Sequence, residues 1–345
     1  MNILDKEIIA DLKDDILELY CKNHTIPEIT EELERRNYDI ALCCTHKQLY
    51  NRVYNYVKRH IENEKEVAKY EQLKVKGFED GKDNKKPVVV LNTDPKCIEN
   101  DWDGEKIIKF GLMGDTQLGS KYAQITYLND FYKICKKEGV DTVYHTGDIT
   151  DGIRMRPGHE FELYAVSTDD LIQHVVDVYP KIPGITTKFI TGNHDASIYK
   201  HVGFDIGKAI ANARDDMEYL GRDCAIVNLT PNCTLELRHP WDGTAYAQSY
   251  KIQKMVEAME SDSKPNILAV GHYHKCEYLF YRNIHCFQTG CFQGQTPFTR
   301  GKGISISLGG WIVTVKVDSE GTIKNITSTY YPFYSSIKDD YKKYI

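Results

Sequence analysis

From residue 106 onward the chain repeats one event: a short apolar run breaks off at a small polar cluster. The runs are 107–113, 142–145, 187–190, 224–229, 234–237 and 267–270. Each is too short for a typical buried helix and rich in β-branched or aromatic residues, so each reads as a strand. Helical patterns fall between several of them, for example at 171–178. Such an order predicts an α/β arrangement followed by a strand-rich C-terminal part. In open α/β sheets the carboxyl ends of the strands line the ligand crevice, and loops there hold polar groups without spoiling the core. The clusters are therefore where chemistry is expected.

The residue types at those ends narrow the chemistry. Run 107–113 is followed by Gly114-Asp115-Thr116-Gln117, run 142–145 by Gly147-Asp148, and run 187–190 by Gly192-Asn193-His194-Asp195. Run 234–237 leads into Arg238-His239-Pro240, and run 267–270 into Gly271-His272-Tyr273-His274. Carboxylate, amide and imidazole donors suit divalent cations such as Mn²⁺, Fe²⁺ or Zn²⁺. The single residue between His272 and His274 lets two imidazoles address two ions. Two ions roughly 3.5–4 Å apart also require a shared ligand, which a carboxylate supplies.

The order of these motifs resembles the calcineurin-like metallophosphoesterase superfamily, whose pattern runs Asp-x-His, Gly-Asp, Gly-Asn-His-Asp/Glu, a lone His, and Gly-His-x-His. The resemblance spans about residues 106–290 and implies a four-layer α/β/β/α sandwich. It also implies that Asp115, Gln117, Asp148 and His274 hold one metal ion. Asp148, Asn193, His239 and His272 would hold a second, with Asp148 bridging. His194 would contact the phosphoryl group or protonate the leaving oxygen, and Asp195 would orient its imidazole. Gln117 stands where the family usually has His, so the first site is expected to bind its ion less tightly and to lean toward Mn²⁺, with Fe, Zn or Mg as alternatives. Asp151 reads as a helix cap. His145 lies in an apolar strand and reads as a core histidine or a support behind the site, and His285, in Asn-Ile-His-Cys-Phe, likewise reads as structural.

Residues 1–62 read as three short helices resembling a helix-turn-helix module. Leu12, Ile16, Leu17 and Tyr20 form an apolar stripe, and Thr25-Ile-Pro-Glu28 has a capping-box pattern. The third helix carries Lys47, Arg52, Lys58 and Arg59 with no acid between Thr45 and His60. That basic helix either meets nucleic-acid phosphates or is a solvated face. Residues 63–104 read as a charged linker, with a lone edge strand at 87–91 as an option. The phosphoesterase domain is expected over 105–330, and a tail over 331–345.

Composition sets outer limits. A net charge of −6 over 345 residues confines any basic binding surface to a local patch. The ten cysteines have no C-x-x-C spacing and read as reduced thiols. No secretory signal or bilayer-length apolar run is legible, so a cytoplasmic location and no membrane partner are expected.

Gly114-Asp-Thr-Gln-Leu-Gly119 is similar to the opening found in the DNA-repair exonuclease branch of the superfamily. The helix-turn-helix-plus-phosphoesterase layout resembles proteins of bacteriophages and prophages. A DNA phosphodiester is therefore the leading expected substrate, with Arg154, Arg156 and His159 as candidate contacts to its backbone. The alternatives are a phosphomonoesterase or small-molecule phosphodiesterase, and a non-catalytic scaffold.

Overall fold

The structure, a computed structural model, describes residues 12, 15, 16, 19, 25–36, 45–57, 96–100, 102–243, 245–260 and 264–345. Two compact units divide the chain, Met1–Asn92 and Thr93–Ile345.

In the first unit, helices α1 (Ile26–Arg36) and α2 (His46–Tyr56) pack with helical residues Leu12, Ile16 and Leu19. Their core is Leu12, Ile16, Leu19, Ile29, Leu33, Leu49, Val53 and Val57, all buried. At the start of α1 the Glu28 carboxylate accepts from the Thr25 backbone N–H at 2.7 Å, the reciprocal half of a capping box. Lys47 is exposed on α2. The side chain of Arg52, and all of Leu17, Tyr20, Lys58, Arg59 and 87–91, lie outside the described residues.

The second unit runs β1 (Lys96–Glu99), β2 (Ile107–Met113), α3 (Ile125–Lys137), β3 (Thr142–His145), α4 (Thr168–Val178), β4 (Thr186–Thr191), α5 (Asn193–Val202), α6 (Ile206–Ala213) and β5 (Met217–Arg222). It continues through β6 (Cys224–Thr230), β7 (Cys233–Arg238), α7 (Tyr250–Ala258), β8 (Ile267–Val270), β9 (Cys276–Tyr281), β10 (Ile284–Thr289), α8 (Pro297–Gly301), β11 (Gly309–Val317) and β12 (Ile323–Pro332). Two six-stranded sheets form, in the orders β12-β11-β2-β3-β4-β5 and β1-β6-β7-β8-β10-β9.

Strand alternation builds the layers. Successive side chains of a strand point to opposite faces. On the first sheet Phe110, Leu112, Tyr144 and Ile190 face the second sheet's Leu235, Leu237, Ile267, Ala269 and Phe287 in one core. Their neighbours Met113, Val143 and Phe189 join a different core with Leu128 and Phe131 of α3 and Leu171 and Val175 of α4. On the second sheet Leu268, Val270, Ile284 and Cys286 turn outward onto Ile252 and Val256 of α7. The result is helices, sheet, sheet, helix. Strands buried on both faces read as continuous apolar runs; 267–270 is one throughout, and 107–113 is one over its last four residues.

Two elements differ from the sequence reading. Lys96–Glu99, assigned to the linker, forms an edge strand parallel to β6. In the terminal segment Asp340 and Tyr341 are buried, and the Asp340 carboxylate accepts from the Thr126 backbone N–H (2.8 Å) and hydroxyl (2.6 Å) at the start of α3. The described cysteines are free thiols, and among the described residues no helix is long and apolar enough to cross a membrane.

Candidate metal centre

The motifs meet where the parallel strands end. The backbone N–H of Asp115 donates to Gly147 O (2.9 Å) and that of Gln117 to Asp148 O (3.1 Å), which laces the loop after β2 to the loop after β3. From the other sheet, the His272 N–H donates to both Asp115 carboxylate oxygens at 3.0 and 3.1 Å. Asp115, Gln117, Asp148, His272 and His274 all have positive φ, between 50° and 76°. A non-glycine residue adopts that conformation at a cost, and such strain concentrates at sites where the surroundings hold it.

Asp148 sits at the centre. Its Oδ1 accepts from the His194 backbone N–H at 2.8 Å. Its Oδ2 accepts from Gln117 Nε2 at 3.0 Å and lies 3.2 Å from His239 Nε2. Asn193 Oδ1 faces two imidazole nitrogens, His239 Nε2 at 3.0 Å and His272 Nδ1 at 2.8 Å. On the far side His274 Nε2 lies 3.3 Å from Asp115 Oδ1. One carboxylate oxygen thus faces residues of both expected sites.

Tautomers show what belongs between these groups. A backbone carbonyl only accepts, so His239 Nδ1, 2.7 Å from Thr146 O, carries a hydrogen. By the same rule His272 Nε2, 2.5 Å from Asp242 O, carries one. The remaining nitrogens, His239 Nε2 and His272 Nδ1, then aim lone pairs at carboxylate and amide oxygens. Acceptors facing acceptors need a proton or a cation between them. At His239 burial opposes charge, but the Asp148 carboxylate prevails and raises the pKa to about 9. At His272 burial and the neighbouring His239 push the pKa down, so the neutral ring faces Asn193 Oδ1 with nothing to donate. Gln117 Oε1 is likewise buried without a hydrogen-bond partner. This donor set fits divalent cations, and Asp148, His239 and His272 place ligand atoms within 4.8 Å of one another.

Glycine permits the close approach. A Cβ on Gly192 would stand 2.3 Å from Asp148 Oδ1 and 2.6 Å from His239 Nε2. Its φ of −110° is open to any residue, so the constraint is space alone. Gly192→Ala is expected to leave the far-ultraviolet dichroism intact and to lower metal affinity by roughly 10–100-fold, the usual cost of disturbing the support of metal ligands. Equilibrium dialysis against Mn²⁺ reads it, and unchanged affinity would show that the ligands can step aside.

The surroundings of His194 correct three expectations. Asp195 does not touch its imidazole. The Asp195 carboxylate instead accepts from the backbone N–H groups of Ile149 (3.1 Å), Thr150 (2.9 Å) and Gly192 (3.1 Å) and from the Thr150 hydroxyl (2.8 Å). It pins the loop after β3 to the loop after β4. Burial and the charge of Asp148 still push its pKa up to about 6. The orienting acid is Asp151, whose Oδ1 lies 2.9 Å and whose backbone O lies 2.8 Å from His194 Nδ1. Asp151 is no helix cap, since its loop runs through turns to a short 3-10 turn at His159–Glu162. The available signal was a second acid three residues after Asp148 with no apolar helical pattern behind it. Burial opposes its ionisation, but His159 and His194 hold its pKa at about 2. His194 is raised to about 9, with burial opposing and Asp148 and Asp151 prevailing.

His159 is the third correction. It is fully buried, with Nε2 3.4 Å from Asp151 Oδ2 but not aimed for a hydrogen bond, so it cannot touch a substrate backbone. Gln293, which the sequence reading missed, donates to the same Asp151 Oδ2 at 3.3 Å. Arg154 is exposed. Arg156 pairs with Glu162 at 2.6 Å and lines the cavity in front of the candidate metal ligands. That cavity, about 460 Å³, is also lined by Asp148, Asn193, His194, His272 and His274. His145 is fully buried, with Nδ1 accepting from the Gly147 N–H at 3.1 Å. Burial drives its pKa down to about 4, so it serves as a neutral brace for the loop that carries Asp148.

Residues 108–276 match the family model of the calcineurin-like phosphoesterases. The fold is of that type. The chain is also 22% identical over 237 residues to the DNA polymerase II small subunit of Halobacterium salinarum, covering 58% of this chain and 47% of that protein. It is 26% identical over 190 residues to the DNA polymerase II small subunit of Methanocaldococcus jannaschii, covering 46% of this chain and 32% of that protein. The chain thus spans less than half the length of these curated relatives. Among solved structures, an archaeal phosphodiesterase aligns at 13% identity and a TM-score of 0.38, over 65% of this chain and all of its own. Vacuolar Protein Sorting 29 of Cryptosporidium parvum aligns at 12% and 0.33, over 66% of this chain and all of its own.

Proposed function

We propose that residues 105–330 form a two-metal phosphoester hydrolase and that its substrate is a nucleic-acid phosphodiester, DNA first. The observation that carries the metal reading is the placement of Asp148, whose Oδ2 faces Gln117 of one ligand group and His239 of the other. In this reading Asp115, Gln117, Asp148 and His274 hold one ion, and Asp148, Asn193, His239 and His272 hold the second. When bound, such a pair of ions activates a water and neutralises charge on the phosphoryl oxygens.

The chain's own residues supply the rest. Thr146 O and Asp242 O hold protons on His239 Nδ1 and His272 Nε2, which leaves His239 Nε2 and His272 Nδ1 as the atoms that would bind, the former on giving up the proton that Asp148 favours there. Asp151 keeps a proton on His194 Nδ1 and, as a carboxylate beside the ring, favours a second on Nε2. His194 therefore stands in the cavity as a proton donor for a leaving oxygen. The polymerase-subunit relatives support a DNA context, and residues 1–62, with Lys47 exposed on α2, are proposed to add a helix-turn-helix contact. The full donor set argues for the hydrolase over a non-catalytic scaffold.

The test is metal-dependent hydrolysis. Protein stripped with a chelator is expected to be inactive on bis(p-nitrophenyl) phosphate and on labelled DNA, and Mn²⁺ is expected to restore both. Turnover of the monoester p-nitrophenyl phosphate without either diester would favour the phosphomonoesterase. No turnover with two ions bound would favour the scaffold.

A further inference from the structure

Two exposed aromatic rings stand in the same cavity as the metal centre, and each is held by a cation. Trp241, two residues beyond His239, is 51% exposed. Its Nε1–H donates to Asp223 Oδ1 at 2.9 Å, and Lys200 Nζ of α5 lies 4.0 Å from the ring centroid. Phe298 of α8 is 40% exposed, and Arg156 lies 4.3 Å from its ring centroid. The helix that presents Phe298 is fixed by Thr296, whose hydroxyl accepts from the Thr299 N–H at 3.2 Å. Neither ring is in the core, yet each is held in place by polar partners. Lys302 adds a further exposed cation to the same lining.

We propose that Trp241 and Phe298 are base-stacking platforms, so that the diester this site takes is single-stranded nucleic acid. The proposal rests on the phosphodiester reading above and names the form of its substrate. A phosphate drawn to a cationic centre brings its nucleosides with it, and unpaired bases expose flat faces that aromatic rings bind regardless of sequence. Cations seated on the rings add attraction for the flanking phosphates. A duplex keeps its base faces stacked internally and offers the rings nothing. Both positions escape a sequence reading because neither belongs to a strand-end motif, and the rings join the site only through the loops after β7 and β10.

The experiment measures binding of a labelled oligothymidylate, an abasic strand of equal length and a duplex by fluorescence anisotropy. The full chain, Trp241→Ala, Phe298→Ala and the double variant are compared. The wild type is expected to prefer the oligothymidylate over both other ligands. Each substitution is expected to lower that affinity about tenfold and to shrink the preference over the abasic strand, with the double variant close to no preference. Equal affinity of wild type and variants for the oligothymidylate would overturn the proposal. So would equal losses on the oligothymidylate and the abasic strand, duplex binding as tight as single-strand binding, or no binding by the wild type. Because anisotropy needs no turnover, a wild type that binds the strand but hydrolyses no ester would overturn the hydrolase reading and leave the platforms supported.

Discussion

Asp148→Asn is expected to slow diester hydrolysis on the order of 10³-fold, the scale of losing one preorganised electrostatic group in a water-poor site. The substitution changes almost no volume. It removes the negative charge that faces Gln117 of one proposed ligand group and His239 of the other. An asparagine oxygen placed at Oδ1 keeps the hydrogen bond from the His194 N–H. Its amide nitrogen then replaces the oxygen that accepts from Gln117 Nε2 at 3.0 Å, so Gln117 must turn its amide over and offer Oε1 to keep a hydrogen bond. His239 loses the charge that raises its pKa. The checks are initial rates at saturating Mn²⁺ and ion content after gel filtration. Activity within tenfold of wild type, with two ions retained, would remove Asp148 from the bridging role.

His194→Ala is expected to lower kcat by roughly 10²–10⁴-fold, the range for a positioned general acid, while leaving ion content near wild type. The imidazole is not in the proposed ligand set. It is held at Nδ1 by Asp151 and reaches the cavity beside the metal ligands. A proton donor matters most when the leaving oxygen is basic. The loss should therefore be larger on DNA, which expels an alkoxide, than on bis(p-nitrophenyl) phosphate, which expels a stable phenolate. Equal losses on the two substrates would assign His194 to binding the phosphoryl group. Asp151→Asn should reproduce part of the effect, because an amide in place of the carboxylate no longer holds the imidazolium charge. Its buried partners His159 and Gln293 make a fold check by circular dichroism necessary for that variant.

Asp195 and Asp151 show where sequence reading stopped. Both are acids next to a motif residue, and neighbourhood in the chain favoured Asp195 as the partner of His194. The backbone turns Asp195 back as the first turn of α5 begins, where it caps Gly192 and braces Thr150. Asp151 approaches from the separate loop after β3. Chain proximity says which groups are near in sequence, whereas the crossing of two loops sets which groups share a hydrogen bond.

By itself the sequence determined where six strands of the second unit lie and which residues end them. Apolar runs must be buried on both faces, and only short polar clusters can terminate them. The run 107–113 and the strand Ile107–Met113 coincide for that reason. In β5, β9 and β12 exposed or polar residues break the pattern, whereas β10 and β11 were passed over although most of their residues are buried. Only the tertiary structure decided that Asp151 serves His194, that His159 is buried, and that Trp241 and Phe298 share one cavity. Those relations join loops far apart in the chain. They depend on how two sheets stack, and no local pattern of residues encodes that distance.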